Sequence, residues 1–393
     1  MERNMSIKQD DLYFVLEINP SDENSSGGAK LYHNILKHLV TNYNVFLVLV
    51  GSFTEQEIEK CKTTFGEGMQ VIAVRVNFKR LNIWDRLRGL AQMKLVRIEQ
   101  KQLEMKIRET IPADAKVWLF QYSFLSLYKL QRKYNIILGL SDSIYLGAEY
   151  NNNKIRKFLK KLYLSYVEFQ IRLRWRQIHV VSKEDLERFN CLHTKPFIVQ
   201  NGINVDDYIS ISGLDRKLIN KKKLNLSIAF HGTLNYHVNI TSINYMCEAL
   251  NDLKFAGEFN VFGRGVLESA AAFPFLVSRG EFDNLDDALR KHSIDLYFCL
   301  MKSGTGMKNK ILEVLCTDIP IVSNTKAIEA LPEQQKLRDF IYVIDDDERV
   351  GSANVNDLYE EAFKKVTNKH DRILYLKQHF DWAAKAEEFV KYF

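Results

Sequence analysis

Between Ser303 and Glu313 the chain reads SGTGMKNKILE, which brings two glycines, two lysines and a carboxylate together. Glycines allow backbone N–H groups to come close to an anion, and lysines add cationic donors. If the segment is helical from Met307, then Gly306, Asn309, Lys310 and Glu313 share a face by the i, i+3, i+4, i+7 rule. Glu313 would then stand two turns from the end that faces a phosphate, where it could accept hydrogen bonds from ribose hydroxyls. Lys308 and Lys310 lie in the first turn and oppose the helix dipole, which suggests an anion resting above the helix. The plainer alternative is a Lys310–Glu313 surface pair, worth a few tenths of a kcal/mol. Spacing alone does not choose between the two.

The elements around this turn form a βαβ unit. Asp295–Leu300 is an apolar run suited to a buried parallel strand, Met307–Cys316 carries helical spacing, and Ile319–Val322 is the next strand. The chain opens in the same way. A strand over Asp11–Ile18 runs through a polar loop to Gly27-Gly28, and a helix follows with Leu31, Ile35, Leu36 and Leu39 inward before a strand over Val45–Val50. Gly27 and Gly28 are either a tight turn or a loop against a ligand. A strand over Asn135–Leu140 ends at Asp142, where open α/β sheets bind ligands, although an N-cap role accounts for the aspartate equally. In the second half, a strand over Ser227–Phe230 leads into the turn His231-Gly232-Thr233-Leu234. The strand Asn260–Phe262 leads into Gly263-Arg264-Gly265, where Arg264 is a spare phosphate or base contact.

GTGMKNKILEVLCTDIPIVS resembles the nucleotide-sugar segment of glycosyltransferase family 4 (group 1), retaining enzymes of the GT-B fold. FHGTLNYHVN resembles that family's F-x-G-x-x-x-Y-x-x-N motif, HVVS its strand closing the first domain, and VQNGIN the crossing that follows. The resemblance implies an α/β fold of two doubly wound Rossmann-like domains facing a cleft. They would span 1–205 on the acceptor side and 206–370 on the nucleotide-sugar side, with 371–393 crossing back as a helix. It also implies that Glu313 binds the nucleotide ribose, and that Gly232, Thr233, Gly304, Thr305, Gly306, Met307, Lys308 and Lys310 surround the diphosphate. Gly27 and Gly28 would be its amino-terminal glycine loop, over the donor diphosphate or the acceptor. Asp142 and Lys308 become the catalytic candidates, with Asp142 facing the reacting sugar. Thr305 departs from the pattern, because the family places a glutamate there. No cofactor is expected, since the nucleotide sugar (UDP- or GDP-linked) is a substrate, and no metal, since no DxD triplet ends a strand of the relevant half.

At 393 residues the chain suits two domains, and its five scattered cysteines fit a reducing compartment without structural zinc. Residues 1–200 hold 31 Lys+Arg against 21 Asp+Glu, and the remainder 24 against 28, so the first half is basic. Nothing resembles a nucleic-acid-binding motif. The basic residues gather on two helices, 85–108 and 154–176. The second carries eight Lys/Arg against Glu168 alone around a stripe of Ile155, Phe158, Leu159, Leu162, Tyr166, Phe169 and Leu173. The stripe reads as core packing, and the charge as either a solvated face or an electrostatic contact with an anionic membrane. The expectation is a cytoplasmic enzyme, peripheral at the inner membrane face, that transfers sugar to a glycan or lipid-linked acceptor. Two other readings stay open: an inactive GT-B-like partner or scaffold of another transferase, and a sugar-nucleotide epimerase.

Overall fold

The computed structural model describes residues 9–22, 27–66, 68–76, 100–140, 154–205, 225–266, 272–302, 308–344, 354–366 and 369–393. Asp142, the loop 303–307 and most of the expected helix 85–108 lie outside the described residues. Two compact units emerge. One comprises Met1–Asn201 with Trp382–Phe393, the other Gly202–Asp381.

In the first unit the order is β1 (Gln9–Leu16), α1 (Gly27–Leu39), β2 (Tyr43–Val50), α2 (Glu55–Phe65), β3 (Met69–Val74), α3 (Gln100–Thr110) and β4 (Lys116–Phe120). A 3-10 helix (Tyr122–Arg132), β5 (Asn135–Gly139), α4 (Lys154–Arg174), β6 (Gln177–Val180), α5 (Lys183–Phe189) and β7 (Lys195–Ile198) complete it. The strands form a parallel sheet in the order β3-β2-β1-β4-β5-β6-β7. Its strands are near-continuous apolar runs because both faces are covered. Leu12, Phe14 and Leu16 of β1 join Leu31, Ile35 and Leu36 of α1 on one face. Tyr13 and Val15 join Leu103, Phe124, Val167 and Ile171 on the other.

The second unit runs β8 (Ser227–His231), α6 (His237–Asp252), β9 (Glu258–Phe262), β10 (Leu276–Gly280), α7 (Leu285–Lys291), β11 (Leu296–Cys299), α8 (Asn309–Leu315) and β12 (Ile321–Asn324). After two one-turn helical segments come β13 (Tyr342–Ile344), α9 (Val355–Val366) and α10 (Lys369–Phe380). The sheet order is β10-β9-β8-β11-β12-β13, again all parallel. Each unit is therefore doubly wound. Each reverses strand order beside its first strand, at β1/β4 and at β8/β11, which is where such sheets receive ligands.

Three expectations need correction. The segment that returns to the first unit starts at Trp382, as α11 (Trp382–Val390), and not at residue 371. Residues 371–380 belong to α10, which is pinned in the second unit by the buried Arg372–Asp318 pair at 2.9 Å and by Tyr375 donating to the Pro332 carbonyl. The unit boundary falls at 201/202 rather than 205/206, because Ile203 donates to the Phe380 carbonyl at 2.7 Å. Finally, the stripe assigned to the core on α4 is not in it. Phe158, Leu162, Tyr166, Phe169 and Leu173 are exposed, and the helix instead buries Leu164, Val167 and Ile171. Trp175, just past its end, fixes that rotation by donating from its indole to the Leu125 carbonyl at 3.2 Å. Two apolar stripes compete on this helix, and periodicity could not tell which one meets the sheet.

Candidate functional site

The second unit's switch point is built from β8, β11 and the helix that follows each. His231 ends β8. Its Nε2 lies 2.8 Å from Glu313 Oε2, and its Nδ1 lies 2.8 Å from the Tyr297 hydroxyl. A carboxylate can only accept, so Nε2 carries the proton and donates to Glu313, while the phenol donates to Nδ1. The phenol oxygen also accepts the His231 backbone N–H at 3.3 Å. Burial raises the Tyr297 hydroxyl well above its usual range, so it stays protonated as this relay requires. Phe282 meets the His231 ring edge to face at 5.8 Å and closes the other side. Glu313, on α8, is thus held by a chain of two buried side chains, with its own side chain 17% exposed.

Lys310, one turn earlier on α8, is half-buried. Its Nζ donates to Asn239 Oδ1 at 2.8 Å and sits 4.1 Å from the centre of the Phe230 ring. Asn239 in turn donates to the Thr233 carbonyl at 2.9 Å, which ties α6 to the turn after β8. Burial pushes the Lys310 ammonium down to about 8, and the neighbouring Lys308 acts in the same direction. Lys308 is buried and occupies the N-cap position of α8, because the helix starts at Asn309 rather than at Met307.

Two glycines make the turns possible. Gly232 has φ +153°, and a Cβ there would stand 2.7 Å from Asn239 Nδ2 and 3.2 Å from Lys310 Nζ. Gly263, at φ +141°, would drive a Cβ to 1.9 Å from the Gly232 carbonyl oxygen. The ends of β8 and β9 therefore touch backbone to backbone, which no side chain permits. Arg264 contributes its backbone here, with its carbonyl accepting from Leu234 at 2.7 Å, but its guanidinium is exposed and 4.0 Å from Glu281.

The structure thus brings together Gly232, Thr233, Lys310 and Glu313, with Lys308 at the N-cap. His231, Asn239 and Tyr297 were missed as functional residues. The signal for two of them was present, since His231 and Asn239 stand inside the FHGTLNYHVN motif. The Tyr297 link had no sequence signal. Gly304, Thr305, Gly306 and Met307 lie outside the described residues.

In the first unit, Gly27 opens α1, and Gly28 faces Phe120 so closely that a Cβ would come within 2.9 Å of the ring. A larger residue at 28 would force the Phe120 ring to shift, so packing by itself favours a glycine there. The switch point there holds a group that sequence reading passed over as part of a strand. Glu17 lies just past β1 and accepts from the Ser123 hydroxyl, just past β4. Burial raises its carboxyl above the usual range, and the Ser123 bond partly offsets this. Gln121, between them, adopts φ +103°, a strained backbone of the kind that clusters at functional sites.

No protein-family model matches the sequence, and no curated protein matches it. Solved structures do match over the whole chain. HepE from Anabaena, in complex with UDP, is 12% identical over 98% of this chain and 99% of its own, with a TM-score of 0.62. A glycosyltransferase from Rickettsia africae ESF-5 is 12% identical over 98% of both chains, with a TM-score of 0.60. An E. coli trehalose-6-phosphate structure bound with UDP-2-fluoro glucose is 11% identical over 97% of this chain and 98% of its own, also at 0.60. The two parallel-sheet α/β units are those of the GT-B glycosyltransferase fold.

Proposed function

We propose that the chain is a retaining, metal-independent glycosyltransferase of the family 4 type. It would move a hexose from a nucleotide sugar (UDP- or GDP-linked) to an acceptor hydroxyl, in surface polysaccharide or glycolipid synthesis. The observation that carries this reading is the juxtaposition, at one switch point, of a carboxylate locked by His231 and Tyr297 with a half-buried lysine. The carboxylate suits ribose hydroxyls and the lysine suits a diphosphate.

In this reading Glu313 accepts from the ribose, while Lys308 and Lys310 meet the charge of the diphosphate. As the bond from the anomeric carbon to the phosphate oxygen breaks, charge grows on the departing diphosphate and the lysines stabilise it. A departing phosphate oxygen takes the acceptor hydroxyl's proton, and the acceptor oxygen forms the new glycosidic bond on the same face. Asp142 would face the reacting sugar. The fold of the UDP-bound neighbours supports a nucleotide-sugar donor.

One observation favours a second reading. The His231–Glu313 pair is the kind of histidine–carboxylate pairing that a sugar-nucleotide epimerase would need. Incubation with a panel of nucleotide sugars separates the possibilities. Transfer or slow hydrolysis that releases a nucleoside diphosphate supports the transferase. Interconversion of the sugar supports the epimerase. No turnover of any nucleotide sugar points to the inactive partner or scaffold.

A further inference from the structure

Helix α4 carries an apolar stripe on each of two opposite sides. Leu164, Val167 and Ile171 are buried against the first unit's sheet. On the other side Phe158, Leu162, Tyr166, Phe169 and Leu173 are 66, 62, 40, 47 and 49% exposed. Their spacing of four, four, three and four residues is one helical face. It runs along most of a 21-residue helix, about 30 Å long at 1.5 Å per residue. Single exposed apolar side chains are ordinary on a protein surface, but a contiguous row of this length marks an interaction site.

Two further observations bear on what it meets. Leu192 is fully exposed, on a turn fixed to the last turn of α4. Thr194 Oγ1 donates to the Arg172 and Trp175 carbonyls at 2.7 and 2.8 Å, and Cys191 Sγ reaches the Arg172 carbonyl at 3.2 Å. Charge supplies the second. Residues 154–176 hold eight Lys or Arg and one acid, Glu168. That acid is 1% exposed and paired with Arg188, which lies outside the helix. Arg172 stands beside the row, its guanidinium 5.9 Å from the centre of the Phe169 ring.

We propose that α4 is a membrane-interface helix. It lies in the headgroup plane of an anionic bilayer, with its outer row and Leu192 inserted at the acyl-chain boundary and its cations on lipid phosphates. A second copy of the chain fits the face less well, because each helix carries a large excess of Lys and Arg over acid in its sequence and two of them would repel. Anionic headgroups neutralise them instead, at about 1 kcal/mol for each cation near the surface. Aromatic side chains in the row suit the depth at which the headgroups meet the hydrocarbon. Among the described residues no helix is long and apolar enough to span a membrane, so the contact is peripheral. The inference does not depend on the donor chemistry proposed above.

Co-sedimentation with phosphatidylcholine vesicles, with and without phosphatidylglycerol, tests it. Binding should require phosphatidylglycerol, weaken on going to physiological salt, and persist there in part through the inserted row. The Phe158→Ser/Phe169→Ser double variant should bind at least about tenfold more weakly. Its thermal melting should be unchanged, since both side chains are exposed. Independently, a Leu162→Trp variant should be quenched by lipids brominated on their acyl chains. Binding that the double variant leaves intact, or a tryptophan untouched by brominated lipid, overturns insertion. A dimer in sedimentation velocity that the double variant abolishes, without vesicle binding, would assign the face to a second copy of the chain.

Discussion

Glu313 owes its position to two side chains behind it. His231 fixes one carboxylate oxygen, and Tyr297 fixes the histidine ring. Glu313→Ala should therefore weaken binding of the nucleoside diphosphate itself, by roughly 1.5–3 kcal/mol for a charge-assisted hydrogen bond. His231→Ala, which leaves the carboxylate but frees it, should cost less. Calorimetric titration with UDP and GDP measures both, and unchanged affinity in Glu313→Ala would remove the residue from the site. Lys310 gives the site a pH signature. Its ammonium titrates near 8 in the free protein, and a bound diphosphate would raise that value. Affinity should be highest below about pH 8 and fall as pH rises through it, with proton uptake on binding. Lys310→Met should bind more weakly and show no such step. Because the folded-state value lies below the ordinary lysine value, the native state favours the neutral amine. Stability should therefore rise as pH climbs from about 8 towards the unfolded value, and Lys310→Met should melt higher than wild type at neutral pH. An affinity profile flat across that window would place the diphosphate elsewhere.

The element that most depends on distant sequence is α11. It closes one face of a sheet whose strands all end at or before Ile198, far earlier in the chain. Phe389 stacks on Trp118 with ring centres 3.4 Å apart and on Phe14 at 5.8 Å, and Tyr392 stacks on Phe197 at 3.7 Å. Phe389 is fully buried. Phe389→Ala should destabilise the first unit by about 3–5 kcal/mol, the usual cost of deleting a buried aromatic. Urea unfolding followed by tryptophan fluorescence reads this directly, because Trp118 loses its stacking partner. A cost below 1 kcal/mol would mean that α11 docks too loosely to complete the core.

On the scale of the molecule, the two units differ in how the chain builds them. The second, Gly202–Asp381, is one continuous segment that contains every residue of the His231–Glu313–Lys310 site. The first is assembled from both ends of the chain. A fragment spanning 202–381 should fold cooperatively and retain nucleoside diphosphate binding within about tenfold of the full chain. A fragment spanning 1–201 should be insoluble or lack a cooperative transition, because Trp118, Phe14 and Phe197 would be uncovered. Calorimetry and circular dichroism on the two fragments decide this. Loss of nucleotide binding in a well-folded 202–381 would show that the first unit contributes donor contacts.

Fold class was legible in the sequence because its signals are local. Short apolar runs such as Leu296–Cys299, bounded by turn residues and alternating with helical spacing, read as strands covered on both faces. Gly232 and the lysines around Asn309 were singled out in the same way, from residue type at short spacing, and the structure brings Gly232 and Lys310 close together at the switch point. Boundaries were less legible. Helix α8 starts at Asn309 because capping depends on the geometry of the preceding loop, and the return to the first unit waits until Trp382 because α10 is pinned by a buried ion pair. Only tertiary structure could decide the rest. Tyr297 comes to His231 because β8 and β11 are neighbours across the point where strand order reverses, a pairing set by the sheet and not by sequence distance. Glu17 meets Ser123 through the equivalent adjacency of β1 and β4. On α4 the sequence offers two apolar stripes of equal periodicity, and it is the packing of Val167, Ile171 and Trp175 on the sheet that turns the other one outward.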